Sequence, residues 1–392
     1  MTVSVLGWAR TPFGKFGGAL RTLPLPELGA LAVTAAVDRA AVAPGDVEEL
    51  VFGVNFPGAE RSVARQVQLR AGIPEERVSF TVDRACCSSL AAVNLAARGL
   101  RLGDTSLAVA GGVDSLSRVP YFLTETRFGN RLGDIVLTDQ LVVACPHTGV
   151  PRAVQAGNEA TEYGVSRAEQ DEWSVRSQQR YAAAHGAGHF DEEIVAVDTV
   201  DREGDPVRLA ADEVPRPGTT VEKLAKLPTV YGSATVTAGN APNMSSGSTA
   251  LVLAPSAAAP AGAPRLSAFT QVSGDPQRLA SMPARAGRAA LAKAGLGLGD
   301  IDLIEVNEAF AAVPLVTTLE LADGDAALAE KLREKTNVNG GAIAIGHPTG
   351  ATAARMVMTM ITALRRRGGG RGLVTLCGGV GEAEALLVQV GA

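Results

Sequence analysis

Apolar residues along the chain gather in short runs that lack polar alternation and are bounded by turn-forming residues. Residues 107–110 and 373–376 are two such runs, composed mainly of Leu, Val and Ala. Strands with this pattern are typical of sheets that are covered on both faces. The pattern predicts an α/β sandwich.

The two halves of the chain carry a similar order of predicted elements. Residues 40–51 and 294–305 each contain a helix end, a Gly-Asp turn and the start of a strand. Later in each half a helix leads into an apolar strand that is closed by Gly-Gly-Val, at residues 111–113 and 378–380. Repetition over this length predicts a duplicated α/β unit rather than an array of short repeats.

A segment rich in alanine and proline, residues 254–264, has the composition of a linker between the halves. Residues 117–240 have no counterpart in the second half. We therefore predict an N-terminal half made of residues 1–116 with about 241–264, an insertion over 117–240, and a C-terminal half over 265–392.

The insertion contains a polar helix whose beginning is marked by a capping box. Ser166 and Glu169 have the spacing in which a hydroxyl and a carboxylate satisfy the first free backbone amides. Trp173, Ser177 and Tyr181 follow at four-residue spacing, which predicts one helix face. We expect the aromatic residues to pack in the core.

Composition and charge fit a cytoplasmic enzyme. The 392 residues are 46% hydrophobic with 44 glycines, enough for two or three domains with large cores. A net charge of −5 disfavours nucleic acid as a partner. We see no signal peptide and no apolar stretch of about 20 residues, so export and membrane insertion are not expected. The 4 cysteines form no CxxC pair, which disfavours a disulfide framework or a zinc site.

Three reactive side chains stand at the ends of predicted elements. His347 lies in a glycine-rich stretch and is predicted to open a helix, Cys86 starts an apolar helical run, and Cys377 ends an apolar strand. Histidines activate cysteine nucleophiles, and a helix N-terminus favours a thiolate. Taken alone, the glycines could equally make a turn that the histidine caps. The three residues together favour a nucleophilic site.

Four segments in order resemble motifs of the thiolase family of acyl-CoA acetyltransferases. They are residues 83–90 (Asp-Arg-Ala-Cys-Cys-Ser-Ser-Leu), 306–310 (Val-Asn-Glu-Ala-Phe), 337–350 with its Gly-His-Pro, and 377–381 (Cys-Gly-Gly-Val-Gly). Similar segments elsewhere spread the resemblance over nearly the whole length. It implies the thiolase fold, in which two βαβαβαββ halves form a layered αβαβα sandwich with an inserted loop domain that helps to bind CoA.

The resemblance also implies a role for each reactive residue. Cys86 would accept the acyl group with His347 as its base, and Cys377 would move the α-proton in condensation or thiolysis. One oxyanion hole would use His347 with a water held by Asn307, and the other the backbone amides of Cys86 and Gly379. A catalytic Asn307 is favoured over a simple helix cap because the Glu-Ala-Phe sequence follows it.

By the same resemblance, Arg216, Lys223, Ala309 and Phe310 would contact CoA. Acyl-CoA and CoA are then the substrates and partners, with no permanently bound cofactor and no metal. A homodimer or homotetramer is also implied, because residues 127–133 look like the tetramer-forming loop of the family.

The sequence departs from the family pattern at several positions. Asp83 replaces a common asparagine, Ser89 a frequent glycine, Pro242 a serine and Ser246 an aspartate, and residues 144–155 lack the usual His-Met-Gly run. We expect these changes to lie near the acyl or pantetheine path. The acyl chain therefore stays open.

Three alternative functions can be weighed against a thiolase. A ketosynthase-like condensing enzyme acting on carrier-protein thioesters shares the duplicated fold, but it pairs its cysteine with two histidines or with histidine and asparagine. A non-catalytic acyl-CoA or lipid-binding protein is supported only by the altered region around Pro242. A nicotinamide dehydrogenase is disfavoured because residues 340–346 lack the G-x-G-x-x-G spacing.

Overall fold

The first part of the chain builds alternating strands and helices from its apolar runs. The computed structural model describes residues 2–124, 126–141, 144–201 and 203–391. The elements up to residue 115 are β1 Val3–Arg10, β2 Gly14–Lys15, α1 Leu25–Arg39, β3 Glu49–Gly53, α2 Val63–Arg70, β4 Val78–Val82, α3 Ser88–Leu102 and β5 Ala108–Ser115.

A segment of helices, short strands and loops follows. Ser166 and Glu169 form the predicted capping box, since the Glu169 amide donates to Ser166 Oγ and the Ser166 amide donates to Glu169 Oε2. Trp173, Ser177 and Tyr181 are all buried, as expected for one inward face. The elements are β6 Tyr121–Phe122, β7 Thr138–Asp139, α4 Arg152–Glu162, α5 Arg167–Gly186, β8 Val197–Val200, β9 Pro206–Leu209 and α6 Val221–Leu224.

The last part of the chain returns to the alternating pattern. Its elements are β10 Ser245–Pro255, β11 Arg265–Ser273, α7 Met282–Ala294, β12 Leu303–Val306, α8 Ala312–Leu321, α9 Ala326–Glu334, α10 Ala342–Ile345, α11 Thr352–Arg366, β13 Gly370–Cys377 and β14 Glu382–Val390.

The order of strands in the sheet confirms the predicted duplication. One half reads β4-β3-β5-β10-β1 and the other β12-β13-β14-β11, with parallel pairs at the outer end and antiparallel pairs toward the centre. The counterpart of β4 is only a bridge between Ile304 and Thr336. Strands β1 and β11 join the halves through two residue pairs, Val3 with Leu266 and Ser4 with Arg265.

The two Gly-Asp turns are also equivalent in detail. Each is a single 3₁₀ turn, Pro44–Asp46 or Leu298–Asp300, and its aspartate accepts a hydrogen bond from the backbone amide three residues earlier.

The two Gly-Gly-Val segments are less alike than predicted. Residues 111–113 lie inside β5, which runs on to Ser115, whereas residues 378–380 follow the end of β13. The first copy continues because it is hydrogen-bonded to β10 throughout.

Helices cover the sheet in layers, as predicted for the sandwich. Helices α3 and α11 contact each other and strands of both halves, so they form the middle layer. Helices α1 and α2 cover the outer face of the first half, and α7 with α8 covers that of the second. No helix in the described ranges is long and apolar enough to cross a membrane.

A buried arginine ties the segment after β7 to the first half. Arg10, at the end of β1, is fully buried and contacts two carboxylates, with Nη1 at 2.7 Å from Asp212 Oδ1 and Nε at 3.0 Å from Glu193 Oε2. The ion pairs satisfy a guanidinium that would otherwise be costly to bury. This anchor fixes the segment against the sheet, next to the connection between α10 and α11.

Close packing of β5 on β10 gives a first prediction. A methyl group at Gly111 would overlap the carbonyl of Thr249, so Gly111→Ala should lower the free energy of unfolding by about 1–3 kcal/mol. Gly45→Ala is the control, because no described atom apart from Gly45 and its chain neighbours lies within 4 Å of the added carbon, and it should stay within about 0.5 kcal/mol of wild type. Urea unfolding measures both, and equal stabilities would contradict the register of these two strands.

Candidate active site

Cys86 stands on a tight turn between β4 and α3. The preceding Ala85 has a φ of 49°, a left-handed conformation that is uncommon for a residue with a side chain. Ser88 holds the turn: its hydroxyl donates to the Ala85 carbonyl at 2.6 Å and accepts from the Arg84 amide at 2.9 Å. The turn leaves the Cys86 side chain partly exposed at the start of the helix.

His347 approaches Cys86 from the other half of the molecule. It lies in the loop between α10 and α11, five residues before α11 begins at Thr352, so the expectation that it opens the helix is only approximate. Its Nε2 is 3.3 Å from Cys86 Sγ, and its Nδ1 is 2.7 Å from Thr352 Oγ1. The distances bring together two of the predicted residues.

The threonine determines which imidazole nitrogen carries the proton. Thr352 has one hydroxyl hydrogen, and it donates that hydrogen to the Pro348 carbonyl at 2.9 Å. Its oxygen must then accept a hydrogen bond from Nδ1–H of His347. The lone pair of a neutral His347 is therefore on Nε2 and faces the Cys86 thiol.

Desolvation in the cavity favours the neutral form of both partners. It lowers the pKa of His347 to about 3, assisted by the positive charge of Arg355. It also raises the pKa of Cys86 to about 12, although the positive charge of Arg152 opposes this shift. The direction of both pKa shifts favours a thiol next to an imidazole over a thiolate–imidazolium pair in the resting site.

Asn307 follows β12 and lies behind His347. Its Nδ2 is 3.4 Å from His347 Nε2, and its Oδ1 is buried without a hydrogen-bond partner in the described chain. Asn337 fixes the strand end beside it by bonding both the amide and the carbonyl of Val306, at 2.9 and 2.8 Å. The unpaired oxygen is able to accept a hydrogen bond from a water.

Glu308, the next residue, has a structural task that the sequence did not reveal. Its buried carboxylate accepts hydrogen bonds from Trp173 Nε1 and Ser177 Oγ on α5, from Asn337 Nδ2 and from the Ile343 amide, at 2.8–3.0 Å. Charge-assisted bonds of this kind are stronger than neutral ones. Glu308 therefore holds helix α5 and the short helix α10, which precedes His347, in one arrangement.

Cys377 ends β13 and is buried. Burial raises the pKa of its thiol, and nearby Cys86 adds to the shift. At Gly379 a methyl group would lie 3.0 Å from Arg152 Nη2 and 3.1 Å from Ala85 Cβ, so a side chain there would crowd this region. The Gly379 amide donates no hydrogen bond to any described residue.

One cavity of about 860 Å³ connects these groups. Asn307 is buried behind the residues that line the cavity. Arg216 and Lys223 are exposed and do not line the cavity. The Lys223 ammonium donates to the Gly218 carbonyl at 2.6 Å. The lining includes Cys86, His347, Cys377, Gly379, Ala309, Phe310, Pro242, Arg152, Tyr231 and Cys145.

The departures from the family pattern fall into two groups, which corrects the expectation that all lie on the substrate path. Asp83 and Pro242 line the cavity, as do Arg152 and its neighbours. Ser89 and Ser246 are buried outside it: Ser89 Oγ accepts from the Ala354 amide at 3.1 Å, joining α3 to α11, and Ser246 Oγ lies 3.0 Å from Ser115 Oγ. Their hydroxyls are used inside the fold.

Known proteins with a similar sequence cover the whole chain. Residues 3–257 match the thiolase N-terminal domain and residues 262–390 the thiolase C-terminal domain. Acetyl-CoA acetyltransferase of Chromobacterium violaceum is 39% identical, over 99% of this chain and 100% of the relative. The cytosolic acetyl-CoA acetyltransferase of Mus musculus is 38% identical, over 99% and 98%.

Solved structures agree. Human mitochondrial 3-ketoacyl-CoA thiolase superposes with a TM-score of 0.93 at 36% identity, covering 100% of this chain and 99% of that one. A structure of human mitochondrial 3-ketoacyl-CoA thiolase in complex with CoA gives 0.92 at 36% identity, covering 99% and 98%.

The chain belongs to the thiolase family. This confirms the predicted resemblance and fold, and it makes the protein an acyltransferase that uses CoA as substrate or product without a permanent cofactor. Similarity over the full length to thiolases favours this class over the ketosynthase-like, lipid-binding and nicotinamide-dependent alternatives.

The contact between Thr352 and His347 gives a second prediction. Thr352→Val removes the oxygen that accepts from Nδ1–H, so the imidazole loses its preference for the tautomer with a free Nε2. Acylation of Cys86 should slow by about 10- to 100-fold, a loss of about 1.4–2.8 kcal/mol. Rapid-quench mass spectrometry measures it. Thr352→Ser keeps the hydroxyl and should recover most of the rate; equal rates in the two variants would contradict the tautomer assignment.

Proposed function

We propose that the protein catalyses reversible thiolysis of 3-ketoacyl-CoA, which in reverse is a Claisen condensation of two acyl-CoA molecules, through an acyl group on Cys86. The observation that carries the proposal is the meeting of Cys86, His347 and Cys377 around one cavity, with 3.3 Å between Cys86 Sγ and His347 Nε2. A thiol is a suitable acceptor because one thioester replaces another.

In thiolysis, Nε2 of His347 takes the proton of Cys86 as the sulfur attacks the 3-keto carbon. The bond between the 2- and 3-carbons then breaks, which leaves the acyl group on Cys86 and an enolate of acetyl-CoA. The now protonated Nε2 donates to the enolate oxygen, together with a water held by Asn307. The unpaired Oδ1 of Asn307 supports a water at this position.

Cys377 supplies a proton to the α-carbon of that enolate. Its raised pKa suits this role, because burial keeps the thiol protonated until the carbanion forms. Acetyl-CoA leaves, and free CoA then attacks the acyl group while its thiol proton restores Cys377. The bond between the acyl carbon and Cys86 breaks, and the departing Cys86 sulfur takes back the proton held on Nε2 of His347. The charge on the acyl oxygen is held by the backbone amides of Cys86 and Gly379.

CoA itself spans from the cavity to the surface. The pantetheine arm contacts Ala309 and Phe310, and the phosphates lie near the exposed Arg216 and Lys223. The lining of the cavity by Ala309 and Phe310 supports the first part, and exposure of the two cations supports the second. Residues 117–240 then act as the CoA-binding insertion. The N-terminal half consists of residues 1–116 with about 241–264, and the C-terminal half consists of residues 265–392.

The protein works as a homodimer or homotetramer. Edge strand β4 exposes 52% of Val78 and 48% of Phe80, which is unfavourable in a lone chain. In the predicted tetramer loop, Phe128 and Leu132 are each 94% exposed. Both surfaces carry apolar side chains that a second copy would cover.

A cytoplasmic location completes the proposal. It is supported by 38% identity to the mouse relative that is named cytosolic.

The two cysteines separate the two halves of the reaction. Cys86→Ala should form no acyl-enzyme, because the acceptor sulfur is gone. Cys377→Ala should still be acylated but should make or cleave the carbon–carbon bond at least 1,000-fold more slowly, about 4 kcal/mol in barrier. Intact-protein mass spectrometry with a panel of acyl-CoA substrates detects the adduct, and CoA release or uptake measures the full reaction.

Cys145→Ala is the matched control, since Cys145 lines the same cavity without an assigned step. It should retain the adduct at Cys86. An unchanged acyl adduct on the Cys86 variant, or full turnover without Cys377, would contradict the assignment of roles.

A further inference from the structure

An arginine in the catalytic cavity has no task in the mechanism above. Arg152 lies in the segment that lacks the His-Met-Gly run, and it lines the cavity with Cys86 and Cys377. Its Nη2 would be 3.0 Å from a methyl group built on Gly379. Its charge also acts on both thiols, opposing the effect of burial on their pKa values. The guanidinium is therefore beside the place where an acyl group must lie.

No carboxylate within the described part of the chain lies within 4.0 Å of Arg152. Other charged side chains that line the cavity form ion pairs or hydrogen bonds within the protein. Arg84 pairs with Glu382 at 3.4 Å and with Glu384 at 2.6 Å, while Asp83 accepts from the Ala85 amide at 3.0 Å. Arg152 is the described cavity cation that lacks a counter-ion.

The position of this charge is unfavourable for the helix that carries it. Arg152 is the first residue of α4, and the positive end of a helix dipole disfavours a cation. A local conflict of this kind is typical of functional sites. Gln155 nevertheless holds the guanidinium in place: its Oε1 accepts from Arg152 Nη1 at 2.8 Å, and its own Nε2 donates to the Pro276 carbonyl at 3.1 Å.

We propose that Arg152 selects an acyl group that ends in a carboxylate, so that the thioester accepted by Cys86 derives from a dicarboxylic acid. The inference rests on the proposed thiolase function. When the acyl carbonyl lies between Cys86 and the Gly379 amide, the acyl chain that extends from this carbonyl begins next to the guanidinium of Arg152. The planar guanidinium can bind the terminal carboxylate with two hydrogen bonds.

The test compares two thioesters of similar shape. Succinyl-CoA carries the carboxylate, and 4-methylpentanoyl-CoA has an isopropyl group in its place. Wild-type protein should acylate Cys86 at least about 10-fold faster with succinyl-CoA, a ratio expected for one charge-assisted contact. Arg152→Met should lower that ratio at least about 10-fold, and Arg152→Lys should keep part of it because the charge remains.

Arg98→Met is the matched control, since Arg98 is exposed on α3, lies outside the cavity lining and donates a hydrogen bond to Gln271 Oε1 at 3.0 Å. It should leave the ratio unchanged. If Arg152→Met slows both thioesters equally, the guanidinium stabilises the oxyanion of any acyl group and the inference is overturned. A wild-type ratio near one overturns it as well, with the thiolase function intact. No Cys86 adduct with either thioester, or with the acyl-CoA panel, overturns both.

Discussion

The hydrogen bond from His347 Nδ1–H to Thr352 is the interaction on which the site depends. It commits one imidazole nitrogen, so that the other presents its lone pair to the Cys86 thiol 3.3 Å away. Because the histidine is buried and next to the positive Arg355, its pKa is low and it stays neutral. A neutral base and a neutral thiol can exchange one proton without moving net charge into the cavity.

That contact exists only because different parts of the fold are held in register. The first half supplies Cys86 from the turn after β4, and the second supplies His347 and Cys377. Middle-layer helices α3 and α11 set their separation, helped by the bond from the Ala354 amide to Ser89. Glu308 ties the segment between the two halves to the site, since its carboxylate joins α5 to α10, the short helix that precedes His347.

The sequence alone could predict the parts of the site in which a reactive residue type stands at the end of a predicted helix or strand. The meeting of Cys86, His347 and Cys377 at one cavity could be predicted for this reason, and the repeated Gly-Asp turns predicted the duplication. Thr352 could not be predicted, because its role depends on where its single hydroxyl hydrogen points. Neither could Arg152, since a helix-end arginine is usually solvated, nor the continuation of β5 through residues 111–113, which its pairing with β10 determines.

The most direct test of the neutral pair is the pH dependence of Cys86 alkylation by iodoacetamide, followed by mass spectrometry of the peptide that contains Cys86. With the pKa of Cys86 raised to about 12 by desolvation and that of His347 lowered to about 3, neither group is expected to titrate at intermediate pH. The thiolate fraction, and with it the rate, should rise about tenfold per pH unit from about pH 6 to 9 without a plateau. A plateau reached near pH 7 would reveal a preformed thiolate–imidazolium pair and contradict the account.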